Sequence, residues 1–98
     1  MNMDILVAYD VSTESSAGRR RLRAVANICL AFGQRAQKSV FECAVNETQF
    51  ELLKAKLIAA ISEQEDNLRI YRLAQPKETY VWTYGRQHVL NVQDPIIF

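Results

Sequence analysis

The chain has 98 residues, 49% of them hydrophobic and 23% charged, with a net charge of +1. That is enough for one domain with its own core, and too balanced for bulk charge to direct it to nucleic acid or lipid. Its apolar runs fall short of the roughly 20 residues of a membrane span, and Cys29 and Cys43 fit no metal spacing, so they read as reduced, buried thiols of a cytoplasmic protein rather than as a disulfide.

The first segment, MNMDILVAYD, carries Asp4 inside its apolar run and has no basic lead or cleavage site, so it is not expected to be a signal peptide. Residues 3–10 read as a strand with Ile5, Val7 and Tyr9 on one face and Leu6 and Ala8 on the other. A strand apolar on both faces is expected to be central and covered on both sides. The Ser- and Thr-rich stretch VSTESSAG reads as a loop. Leu22, Val25, Ala26, Cys29 and Leu30 then follow one helical stripe, and Gly33 is expected to end that helix as a left-handed cap. Residues 34–45 are extended, with imperfect alternation near Lys38 and Ser39. Twelve residues is long for one strand, which leaves a bent strand or two strands joined by a tight turn. Asn46 caps a second helix with Gln49 as its box partner, and Phe50, Leu53, Leu57 and Ile61 form the buried stripe. SEQEDN is a charged exit loop and LRIYRL, residues 68–73, a strand. Pro76 interrupts, TYVWTY at residues 79–84 reads as another strand, and the tail is partly extended.

The order strand, helix, extended pair, helix, strand, strand points to an α+β class, a ferredoxin-like βαββαβ sandwich with an extra C-terminal strand. Both helices would cover one sheet face. The other keeps apolar side chains, which suggests a partner in a homodimer. Residues 1–84 form the domain and residues 85–98 an extension. Within it HVLNV has strand character and the chain ends on Ile96, Ile97 and Phe98, so the extension is expected to add to the partner protomer's sheet.

Two features carry chemistry. Arg19, Arg20, Arg21 and Arg23 crowd the expected start of the first helix, where positive side chains oppose the dipole. A phosphate backbone would favour the arrangement by meeting the free helix-end N–H groups and the guanidinium forks together. The plainer reading is a solvated face with some pairing to Glu14. Asp10 closes the central strand, at the end where ligands gather in strand–helix units. One carboxylate makes a poor metal site and two brought together by a two-fold axis a better one. On the residues alone, Asp10 is first a turn or capping residue.

YDVS followed by RRRLRAV, then GQRAQKSVFECAV and LRIYRL, resembles the small CRISPR-associated adaptation nucleases, the Cas-two family, from Met3 to about Tyr84. The resemblance implies a ferredoxin-like homodimer with sheets packed face to face. It implies a metal-dependent endonuclease acting on RNA or DNA, with Mg²⁺ at Asp10 as the catalytic and metal-binding residue. It implies that the dimer bridges the larger adaptation integrase and holds spacer DNA. Arg19, Arg20, Arg21, Arg23, Arg35 and Lys38 would serve the nucleic acid, with Tyr9, Ser39 and Phe41 supporting the site, and the tail can engage the integrase.

Other candidates are weaker. His88 lies in the weakly patterned tail. Tyr71, Tyr80, Trp82 and Tyr84 could stack on bases, but as strand aromatics they read as core or dimer interface. Phosphate-binding loops, zinc spacings and Ser–His–Asp patterns are absent from the sequence. Three readings of function result: a Mg²⁺-dependent nuclease, a non-catalytic DNA-binding adaptor, and a ribonuclease toxin of similar fold.

Overall fold

Alternating burial fixes the middle of the sheet. In β1 (Met3–Asp10) Ile5, Val7 and Tyr9 are buried, whereas Leu6 and Ala8 on the opposite face are only half-buried. The computed structural model describes residues 2–74 and 81–85, in the order β1, α1 (Ser16–Leu30), β2 (Gly33–Gln37), β3 (Val40–Val45), α2 (Glu47–Ala60) and β4 (Asn67–Arg72). The strands form one antiparallel sheet in the order β2-β3-β1-β4. This is the expected βαββαβ arrangement, with β1 central.

The core is a single layer between sheet and helices. Ile5, Val7 and Tyr9 of β1 and Phe41, Cys43 and Val45 of β3 pack against Leu22, Val25, Ala26 and Cys29 of α1 and Phe50, Leu53 and Leu57 of α2. Ile61 is the C-cap of α2 and packs against the edge of this cluster. Both cysteines are free and buried, the Cys43 thiol lying 3.6 Å from the Cys29 carbonyl. Within one chain the helices supply one of the two covers expected for β1. Both helices lie on the same side, and the described residues leave the face carrying Leu6 and Ala8 open.

Residues 34–45 resolve into two strands turning at Lys38 and Ser39, with a register irregularity between Arg35 and Gln37 that accounts for the broken alternation. Asn46 and Gln49 form a full capping box, the Asn46 side chain accepting from the Gln49 amide at 2.8 Å and the Gln49 side chain from the Asn46 amide at 2.9 Å.

Gly33 is not a helix cap. Helix α1 ends at Ala31 in right-handed geometry, and Gly33 opens β2. A glycine is needed there because a Cβ would lie 1.9 Å from the Glu42 carbonyl oxygen on β3, so the requirement is close strand approach rather than positive φ. The strand expected over residues 79–84 is also not seen where the chain is described. Val81 to Tyr84 join no sheet, and Trp82 and Tyr84 stand exposed and stacked on each other with centroids 6.0 Å apart. Strand propensity favours an extended backbone but supplies no pairing partner. Tyr71, Trp82 and Tyr84 are exposed and not core. Pro76, Tyr80, His88, the HVLNV segment and the terminal Ile96, Ile97 and Phe98 lie outside the described residues. Among those described, no helix is long and apolar enough to cross a membrane.

Candidate nucleic-acid site

At its C-terminal end β1 is held on both sides. The Tyr9 amide donates to the Ser39 carbonyl at 2.9 Å, tying the strand to the β2–β3 turn. Asp10 is the register partner of Asn67, the first residue of β4. Ala8, Tyr9, Asp10, Ser39, Val40, Asn67 and Arg69 surround an open concavity of about 330 Å³. Asp10 is exposed at its rim, and among the described residues no hydrogen bond or ion pair engages its carboxylate. The cap of α1 is Ser15, whose hydroxyl accepts from the Gly18 amide at 3.0 Å, so the turn or capping role open to Asp10 is filled elsewhere. Gly18 permits this tight entry, since a Cβ there would meet the Ser12 carbonyl oxygen at 1.9 Å.

On the helix side of the same strand end lies a second carboxylate with the opposite character. The Asp66 side chain is fully buried. It accepts from the Tyr9 hydroxyl at 2.5 Å, from Arg21 Nε at 2.8 Å, from an Arg21 terminal nitrogen at 3.3 Å and from the Ser62 amide at 2.9 Å. Burial pushes the Asp66 carboxyl up, but the bonds from Arg21, Tyr9 and Ser62 outweigh it and hold the group below its ordinary range. Burial, then the bond to Asp66, pushes Tyr9 up to about 12. Arg21 also reaches Glu65 at 3.4 Å.

Four cations, Arg19, Arg23, Arg35 and Lys38, gather in a groove between α1 and β2. Thr13, Arg19, Leu22, Arg23, Ala26, Asn27, Leu30, Arg35 and Lys38 line a concavity of about 450 Å³. Arg19 donates to the Thr13 carbonyl at 2.8 Å and the Glu14 carbonyl at 3.2 Å, so its contact with Glu14 is to backbone and leaves its charge unneutralised. Arg35 lies over the Phe41 ring at 5.2 Å, and its Nε is buried without a hydrogen-bond partner among the described residues. Phe41 is a core residue beneath Arg35, and Ser39 holds β1 through its backbone carbonyl. Arg20 is exposed away from this groove, and Arg21 is engaged by Asp66.

One expectation about the arginines changes. Helix α1 begins at Ser16, and the Arg19 amide already donates to the Ser15 carbonyl at 3.1 Å. Arg20, Arg21 and Arg23 thus lie beyond the first turn, where the dipole penalty is weak. The groove offers side-chain cations rather than free helix-end N–H groups. Asp66 and Asn67 carry no signal in the sequence, and Arg69 reads there only as a basic strand position. Asp66 falls in the charged exit loop SEQEDN, and its burial depends on Tyr9 and Arg21, which are distant in sequence.

The residues around Asp10 suit a weakly held hard cation. Its carboxylate shares the concavity with Ser39 and Asn67, all oxygen donors, and Mg²⁺ commonly binds through one or two carboxylates while keeping waters and substrate phosphate as its other ligands. Among the described residues no three Asp, Glu, His or Cys side chains converge to make a closed protein cage.

The family model described as CRISPR associated protein Cas2 matches residues 3–80. The chain is 54% identical to CRISPR-associated endoribonuclease Cas2 1 of Moorella thermoacetica, over 97% of this chain and 99% of that one. It is 47% identical to CRISPR-associated endonuclease Cas2 of Halalkalibacterium halodurans, over 98% of this chain and 100% of that one. The crystal structure of Streptococcus pyogenes Cas2 at pH 6.5 superposes with a TM-score of 0.81 at 47% identity, covering 85% of this chain and 100% of the other.

Proposed function

The chain belongs to the CRISPR-associated Cas2 family, and from that premise we propose that it is a metal-dependent endonuclease cleaving RNA or DNA phosphodiesters at Asp10. The observation that carries this reading is the contrast between two neighbouring carboxylates. Asp66 is buried and fully engaged, whereas Asp10 is exposed and, among the described residues, unpaired in a concavity that Arg69 also lines. Lys38 lines the basic groove and Ser39 the Asp10 concavity, so a single turn joins the two surfaces.

Asp10, with oxygens of Ser39 and Asn67, would hold Mg²⁺. When bound, a divalent cation supplies Lewis acidity toward a phosphoryl oxygen and lowers the pKa of a coordinated water. The protein's own part is positioning. Arg69 presents a cation at the same concavity, where charge builds on the phosphate. Arg19, Arg23, Arg35 and Lys38 hold the flanking backbone through charge, without reading bases.

The open sheet face favours a homodimer. Leu6, Ala8 and Val40 are half-buried there in a single chain, and a second copy packed face to face would cover them and bring two Asp10 carboxylates into one site. Residues 85–98 would add to the partner's sheet. A second reading is favoured by the one carboxylate, Asp10, that lines the concavity, set beside a larger basic groove. In it the dimer bridges the adaptation integrase and holds spacer DNA, as a non-catalytic adaptor in the cytoplasm. The test is incubation of purified protein with RNA and duplex DNA, with Mg²⁺ and with chelator. Chelator-sensitive cleavage supports the nuclease, and duplex binding without cleavage supports the adaptor.

A further inference from the structure

Asp10 and Asn67 form the last rung of the β1–β4 ladder. The residue before each of them, Tyr9 and Asp66, meets its counterpart on the helix side of the sheet, through the 2.5 Å hydrogen bond from hydroxyl to carboxylate. The same carboxylate takes two bonds from Arg21 of α1 and one from the Ser62 amide beyond the end of α2. One buried side chain thus ties the end of β1, the start of β4, the arginine-bearing helix and the exit of α2.

Stability alone is a poor reason for this arrangement. Replacing buried ion pairs by well-packed apolar groups is often neutral or stabilising, whereas directional bonds of this kind define geometry. The geometry defined here has a use. Arg21 lies two positions from both Arg19 and Arg23, which line the basic groove, and Tyr9 adjoins Asp10. We propose that Asp66 is a positioning residue for the Asp10 site: through Tyr9 it sets the end of β1 against β4, and through Arg21 it sets the distance from that end to the cationic groove. The inference builds on the reading of Asp10 as the catalytic carboxylate, and its test separates the two.

Tyr9→Phe keeps the ring in the core and removes one bond. Asp66→Asn keeps the shape and removes the charge. In the full-length chain two quantities are measured: amide hydrogen exchange along β1 and β4, and kcat and KM for RNA cleavage with Mg²⁺. Positioning predicts that the Asp10 and Asn67 amides exchange about tenfold faster in both variants while those of Ile5 and Val7 stay within about twofold. It predicts that kcat falls about tenfold with KM within about threefold. If Asp66→Asn does not fold, Tyr9→Phe carries the test. Unchanged exchange at Asp10 and Asn67 would overturn the inference, as would an equal loss of protection along the whole of β1, which marks plain destabilisation, or an unchanged kcat. If the wild-type chain cleaves nothing, the Asp10 reading fails separately, and the exchange measurement still decides whether Asp66 organises the strand end.

Discussion

The Tyr9 hydroxyl donates to the Asp66 carboxylate at 2.5 Å across 57 positions of sequence, closing the helix side of the strand end whose open side carries Asp10. Asp66→Ala leaves Tyr9 and the Arg21 guanidinium facing a buried void. The expected loss of stability is about 2–4 kcal/mol, below the cost of breaking a fully buried pair because the Arg21 side chain keeps 19% exposure. Urea unfolding of the two proteins measures it. Tyr9→Phe should lose less, about 1.5–3 kcal/mol for one hydrogen bond to a charged group.

The same hydrogen bonds set an acid limit. Asp66 is held below its ordinary range, so its contribution is present above the unfolded-chain value of about 3.9 and is lost as pH falls through the lower folded value. The melting temperature should therefore drop below about pH 4, and Asp66→Asn should flatten that drop. An equally steep acid limb in the variant would place the titrating group elsewhere.

At alkaline pH the sign reverses. Tyr9 is raised to about 12, so the folded state holds the phenolic proton more tightly than the unfolded chain, whose tyrosines ionise near 10. Stability contributed by Tyr9 is complete below that value and is lost as pH rises toward about 12. An ultraviolet tyrosinate titration should show a late component that Tyr9→Phe removes.

Much of this architecture was legible locally. The alternation in residues 3–10, the stripe from Leu22 to Leu30 and the Asn46–Gln49 box each lie within a few residues of chain, and β1, α1 and the cap of α2 formed as expected. What was not legible depends on partners distant in sequence. Gly33 looked like a helix stop because its constraint comes from Glu42 on the neighbouring strand. Asp66 reads only as part of a charged exit loop because its burial requires Arg21 and Tyr9. The arginine cluster was visible as charge, but its division into groove-lining Arg19 and Arg23, exposed Arg20 and engaged Arg21 follows from helix phase and packing.

That division predicts a difference in salt dependence. Replacing Arg19, Arg23, Arg35 and Lys38 together by alanine should flatten the logarithmic salt dependence of duplex binding by about 0.9 for each phosphate that is no longer neutralised. Changing Arg20 alone should leave the slope nearly unaltered. Equal effects from both variants would mean a diffuse basic surface rather than a groove.

The most direct test of the central claim is the Mg²⁺-dependent cleavage rate of Asp10→Asn, compared with the wild-type chain at matched nucleic-acid occupancy. Asp10 is exposed and outside the core, so the variant should keep the wild-type melting temperature and its affinity for nucleic acid. Its chelator-sensitive cleavage should fall by at least about a hundredfold, the order expected when a group central to the chemistry is removed. Cleavage that continues at the wild-type rate in Asp10→Asn would contradict the account.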